Sequence, residues 1–153
     1  MDRIYMTDIA SVVTERIGSA FNSLTAGGTG DATSVVGVTI DRSTLSMPQC
    51  AEINVYYEAV LSSTNTLSIT ALKVEHSTDG ATWSDYAVQT APGVVATGAG
   101  TVRGAVAAGV NLSSAYRYIR VTHTPDLSAA NTDTAKTLAA AVFAGMPELP
   151  AAS

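Results

Sequence analysis

The chain has 153 residues, 46% of them hydrophobic and only 14% charged, with a net charge of −5. That length suits one domain with a sizeable core, and so apolar a composition with so few charges excludes a disordered chain. Eight basic residues against thirteen acidic ones, without a basic cluster, exclude phosphate-driven nucleic-acid binding.

Residues 1–31 are the least regular part. Apolar residues at Ile9, Val12, Val13, Ile17, Ala20, Phe21 and Leu24 partly fit a helical face. Gly18 and the β-branched residues weaken that helix, and the run from Thr25 to Asp31 is glycine-rich like a linker. The segment reads as a short, irregular or partly helical N-terminal arm. From Ala32 the period becomes two. Val36, Val38 and Ile40 alternate with Gly37 and Thr39, and Ile53, Val55, Tyr57 and Ala59 alternate with Glu52, Asn54, Tyr56 and Glu58. Leu67, Ile69, Ala71 (or Leu72) and Val74 predict the next strand. Ser77-Thr78-Asp79-Gly80 then signals a turn, and Trp83–Thr90 the return strand.

After Ala91-Pro92-Gly93, weak strands are expected around 94–97 and 101–107. Tyr116–His123 predicts a further strand, Pro125–Thr132 a polar connection, and Thr134–Ala144 a last strand for which an Ala-rich helix is the rival. Seven or eight short strands at this spacing predict an all-β, antiparallel sandwich over 32–146, followed by a tail at 147–153.

Little in the chain points to chemistry. Cys50 is the only cysteine, so no intramolecular disulfide can form, and its apolar setting predicts a buried, inert thiol. His76 and His123 could form half of a metal site only with a third ligand such as Asp79 or Asp126; separate surface histidines are the simpler expectation. Glu52, Glu58 and Glu75 read as solvated carboxylates on strand faces rather than a glycosidase pair. Gly27–Gly30 lacks the Lys-Ser/Thr of a phosphate loop. No Gly-x-Ser-x-Gly elbow is present, and Asp79–Asp85 lacks the spacing and bidentate Glu of a calcium loop. No catalytic residue, metal or cofactor is expected. The start, Met1–Tyr5, has no secretory leader pattern, and the longest uncharged stretch, Tyr86–Val102, is too polar for a membrane span. Only Lys73 and Lys136 supply lysine, which fits a surface covered by protein partners.

Two segments resemble known architectures. Leu72–Trp83 (LKVEHSTDGATW) is similar to the hairpin of discoidin-like, galactose-binding-type jelly rolls, and Ala115–Val121 (AYRYIRV) to the strand that follows it there. That resemblance implies a jelly-roll-like sandwich and marks Trp83, Tyr116, Tyr118, Arg117 and Arg120 as a candidate partner or glycan surface. The whole chain also resembles small structural proteins of tailed bacteriophages and prophages. The stretch Gly30–Arg42, the Asp-Gly hairpin and Asp126–Thr134 before an Ala-rich strand carry this likeness. It implies a non-enzymatic virion protein, made in a bacterial cytoplasm and placed on the capsid surface. The implied type is a decoration or cement protein bound to the major capsid protein and to copies of itself, with a homotrimer favoured. A carbohydrate-binding module or a phage tail component is the alternative.

Overall fold

The computed structural model describes residues 13–128 and 132–144. Residues 1–12 of the expected arm and the expected tail at 147–153 lie outside the described residues. Eleven strands follow in order: β1 (Val13–Ile17), β2 (Asn22–Thr25), β3 (Val35–Val36), β4 (Ile40–Asp41), β5 (Cys50–Leu61), β6 (Thr66–Ser77), β7 (Ser84–Gln89), β8 (Gly93–Thr97), β9 (Gly100–Asn111), β10 (Tyr118–Leu127) and β11 (Thr134–Ala144). A 3-10 turn, Arg42–Leu45, follows β4.

The strands form two antiparallel sheets. In the first, the order is β1-β11-β5-β9, with β2 continuing the β1 edge along β11; in the second it is β3-β10-β6-β7, with β4 and β8 continuing the two edges. Joining each broken edge into one gives eight strands in jelly-roll topology, the sandwich expected from the alternation. Thr134–Ala144 is strand rather than helix, because its even-numbered and odd-numbered faces differ: Ala135, Thr137, Ala139, Ala141 and Phe143 are buried, whereas Lys136 and Ala144 face outward.

The helical reading of Ile9–Leu24 is corrected over its described part. Val13–Ile17 and Asn22–Thr25 pair with β11, and a break at Gly18-Ser19 separates them. At that break Gly18 and Ser19 both donate to the Ala139 carbonyl, and the Ser19 hydroxyl accepts from the Ala139 amide. The apolar spacing that mimicked a helix belongs to a strand interrupted by this two-residue step. The polar connection expected at Pro125–Thr132 begins later, because β10 continues through Leu127.

Inward-facing side chains fill two clusters. One gathers Ile53, Val55, Leu72, Val74, Leu112, Ile119, Val121 and Phe143; the other gathers Leu24, Ala59, Leu61, Leu67, Leu127 and Ala135. The choice between Ala71 and Leu72 is settled by a bulge. Thr124 pairs with Ala71 and Pro125 with Ile69, so Thr70 is skipped and the phase of β6 flips. Leu67 and Ile69 then point inward before the bulge, and Leu72 and Val74 after it, while Ala71 is exposed.

Gly37 sits where the first and second sheets meet. Val38 donates to the Gly18 carbonyl at 2.9 Å, and a methyl at Gly37 would collide with the carbonyl oxygens of Gly18 and Val121. Because both obstacles are backbone, Gly37→Ala is expected to cost about 1–3 kcal/mol, the usual range for overpacking. Thermal unfolding monitored by circular dichroism checks this.

Candidate functional site

The outer face of the second sheet carries four of the five residues expected to form a surface. Arg120 and Glu75 face one another across β10 and β6, with Nε 2.8 Å from the carboxylate. Lys73 reaches the same carboxylate at 3.4 Å and Asp85 at 2.7 Å, and Thr122 donates to it at 2.8 Å. The Arg120 guanidinium lies over the Trp83 ring, 4.4 Å from its centroid. Glu75 is therefore only 8% exposed, which corrects its reading as a solvated carboxylate: Trp83 and Arg120 roof it. Burial alone would raise its carboxyl, but the Arg120 and Thr122 hydrogen bonds, aided by the charges of Arg120 and Lys73, hold it below the ordinary range.

Arg117 makes a two-pronged pair with Asp41, at 3.0 and 2.7 Å, and covers the Tyr118 ring at 4.9 Å. That fork, with the Ser43 hydroxyl and amide, holds the half-buried Asp41 carboxyl well below the carboxylate range. Tyr118 also packs beside Gly80, whose φ of +74° forms the turn. Asp79 shapes the same turn by accepting from the Ala81 and Thr82 amides at 2.8 Å each. Those bonds, with one from Ser77, hold its carboxyl well below the usual range.

Tyr116 belongs elsewhere. It lies at the sandwich end, stacked on His76 at 4.0 Å with an interplanar angle of 15°, and Tyr86 packs on the other ring contact at 5.0 Å. The proposed aromatic face is thus split. Trp83, Tyr118, Arg117 and Arg120 share one side, and Tyr116 stands apart with 49% of its surface exposed. Beside it, the fully buried Arg42 gathers the carbonyls of Pro48, Leu112, Ala115 and Tyr116.

The outer face of the first sheet was not singled out by sequence. Cross-strand pairing places Ile17, Ala140, Asn54 and Ala107 in one row, and Leu138, Tyr56 and Ala105 in the next. Ile17 is 63% exposed, Phe21 77%, Val60 46% and Tyr56 40%. Phe21, Tyr56 and Leu138 line a shallow groove of about 340 Å³, with Glu58 and Lys136 at its side. The signal was present in the apolar residues of the supposed arm, whose strand period was hidden by the step at Gly18-Ser19.

Three further expectations are corrected. Cys50 is exposed, because the buried face of β5 falls on Ala51, Ile53 and Val55 and turns Cys50 outward. His123 is fully buried and His76 half-buried, so neither is a surface histidine. Both lie inside the sandwich because β6 and β10 present them on the core face. They stand four residues apart along the β6–β10 ladder, and among the described residues no three metal-binding side chains come together. No described helix is long and apolar enough to cross a membrane.

Fold and surfaces together define a two-sheet jelly-roll sandwich with an ion-paired outer face on one side and, on the other, a face that sets exposed apolar side chains among charged ones. No family model and no curated protein matches the sequence. Solved structures that resemble it include the PBSX exported protein XepA, at 17% identity and a TM-score of 0.46 over 92% of this chain and 40% of that one. Others are from infectious bursal disease virus: the Gx strain, at 12% identity and 0.48 over 90% and 34%, and the VP2 subviral particle, at 13% and 0.45 over 87% and 32%. The chain spans about a third to two-fifths of the length of these proteins.

Proposed function

We propose that the protein is a non-enzymatic structural component of a phage particle, a decoration or cement protein that docks on the capsid surface. The observation that carries this reading is the outer face of the first sheet. It presents Ile17, Phe21, Tyr56 and Val60 to solvent in a chain with only two lysines. Exposed apolar and aromatic side chains mark a protein–protein contact, and Glu15, Glu52, Glu58 and Lys136 set among them supply its polar part. Jelly rolls serve both as capsid and as lectin domains, so the fold leaves the choice to the surface. Docking of a folded sandwich stabilises a shell by mass action, with no chemical step. Contacts to the major capsid protein and between copies follow from this reading; the threefold stoichiometry rests on the resemblance in sequence style alone.

The test is co-sedimentation with shells of the encoding phage prepared without this protein. Ile17→Glu combined with Phe21→Glu alters two exposed side chains and leaves the core intact, and is expected to weaken shell binding at least tenfold. Unchanged binding removes this face from the proposal. Glycan binding that is lost on Tyr116→Ala would replace it with the carbohydrate-module reading.

A further inference from the structure

The eight-stranded sandwich has four sheet edges, and three of them are broken. β1 and β2 divide one, β3 and β4 the second, β7 and β8 the third. The third is also bulged twice, since the pairing with β6 skips Tyr86 and Val95. Interrupted and bulged edges resist pairing with another chain. The fourth edge is different. β9 runs unbroken from Gly100 to Asn111 and pairs with β5 at all twelve positions without a register shift. Among the described residues, no hydrogen bond beyond that ladder reaches its main chain between Thr101 and Val110. It contains no proline and one charge, Arg103. Its outward residues, Thr101, Arg103, Ala105, Ala107 and Gly109, are all exposed, and four of the five are small.

We propose that β9 joins two copies of this chain, antiparallel about a twofold axis through Val106, so that their first sheets become one continuous sheet. The register follows from charge. Residues directly opposite across such an edge share a face, so the axis falls on a residue, and the central choices are Ala105, Val106 and Ala107. An axis at Val106 sets Arg103 opposite Gly109 of the second copy, whose β5 neighbour is Glu52. The row then reads Glu58, Arg103, Gly109, Glu52, with the glycine leaving room for the guanidinium between two carboxylates. Arg103 already pairs with Glu58 through Nε at 2.6 Å, with its side chain 70% exposed, and its other N–H groups have no partner among the described residues. An axis at Ala105 would bring Arg103 beside Asn54, and one at Ala107 beside Cys50; neither offers a carboxylate. With the axis at Val106 the single charge of each strand never meets its own copy, and Ala105 faces Ala107. The twofold contact stands independently of the virion reading.

The test is solution mass by light scattering across a dilution series, on the full chain and three variants. A side chain at Gly109 meets nothing within 4 Å in the single chain, so substitutions there read the contact rather than the fold, and matching melting curves verify this. The expected result is a wild-type dimer, or an even multiple of it, whose dissociation constant rises at least tenfold in Gly109→Lys. It is expected to be kept in Gly109→Glu and restored in Gly109→Lys with Arg103→Glu. A wild-type monomer at all concentrations, a trimer, or a dimer indifferent to every substitution would overturn the proposal.

Discussion

Replacing Arg42 by alanine is expected to lower stability by about 3–5 kcal/mol, the range for breaking a buried ionic group out of its partners. For a chain of this length that corresponds to a fall in melting temperature of roughly 10 °C or more. The side chain is 1% exposed and, among the described residues, faces no carboxylate in an ion pair. Its charge is instead met by carbonyl dipoles. One terminal nitrogen donates to Ala115 and Tyr116, the other to Pro48 at 2.6 Å and Leu112 at 2.9 Å, while Nε has no partner. Burial pulls its pKa down, yet a guanidinium starts so high that it stays charged.

The four carbonyls come from two loops whose other direct link is the Leu112 amide donating to the Gln49 carbonyl at 2.7 Å. One of those loops holds successive non-glycine residues in the left-handed region, Ser46 at φ 60° and Met47 at φ 51°, conformations that cost free energy at each residue. Met47 is tied back by its amide to the Arg42 carbonyl at 3.0 Å. Alanine at position 42 leaves the Pro48, Ala115 and Tyr116 carbonyls without donors, while that of Leu112 keeps only the Ala115 amide, and it releases the strained loop. Arg42→Lys, which keeps the charge but brings its donors to a single nitrogen, is expected to fall between alanine and wild type. Chemical denaturation of the three proteins checks the order; an alanine variant within 1 kcal/mol of wild type would show that the loops hold themselves.

The sandwich was legible because its long strands alternate cleanly. Ile53, Val55 and Ala59 fix the face of β5, and Ile119 and Val121 that of β10. What could not be read were the places where period two is interrupted. The bulge at Thr70 inverts β6 halfway along, and the step at Gly18-Ser19 splits a strand so that its apolar residues fall at helical spacing. Burial of polar residues was equally hidden, since, the Pro48 carbonyl six positions from Arg42 aside, Arg42 and His123 owe their environments to partners 14 to 74 positions away. The Trp83, Tyr118 and arginine cluster was visible because its residues are close in sequence or follow a strand period. The apolar face around Ile17 and Phe21 was not, because it is assembled by β1, β5 and β11 from opposite ends of the chain.

Stability is expected to fall by about 3 kcal/mol between pH 6.5 and pH 4, with His123 as the cause. This imidazole is fully buried at the seam between the two apolar clusters, where Val121 belongs to one and Leu127 to the other. Its Nε2 lies 3.0 Å from the Thr137 hydroxyl, a side-chain bond between the second sheet and the first, and its Nδ1 has no partner. Burial opposes the charged form and pulls the folded-state pKa down from 6.5 to about 4. The sign follows from the proton balance. Above pH 6.5 the ring is neutral folded or unfolded, so the full stability is present. Below 6.5 the unfolded chain takes up a proton that the folded chain refuses, and stability drops by up to about 1.4 kcal/mol per unit until the folded ring titrates near pH 4. The carboxylates held below their ordinary range, Asp41, Glu75, Asp79 and Asp133, begin to cost stability only as pH falls through about 5, so they overlap this window at its acid end alone. Urea unfolding of wild type and His123→Gln at half-unit steps separates the two effects. The wild type should slope between pH 6.5 and about 5 and the variant run nearly flat there; equal slopes would assign the acid sensitivity to groups other than His123.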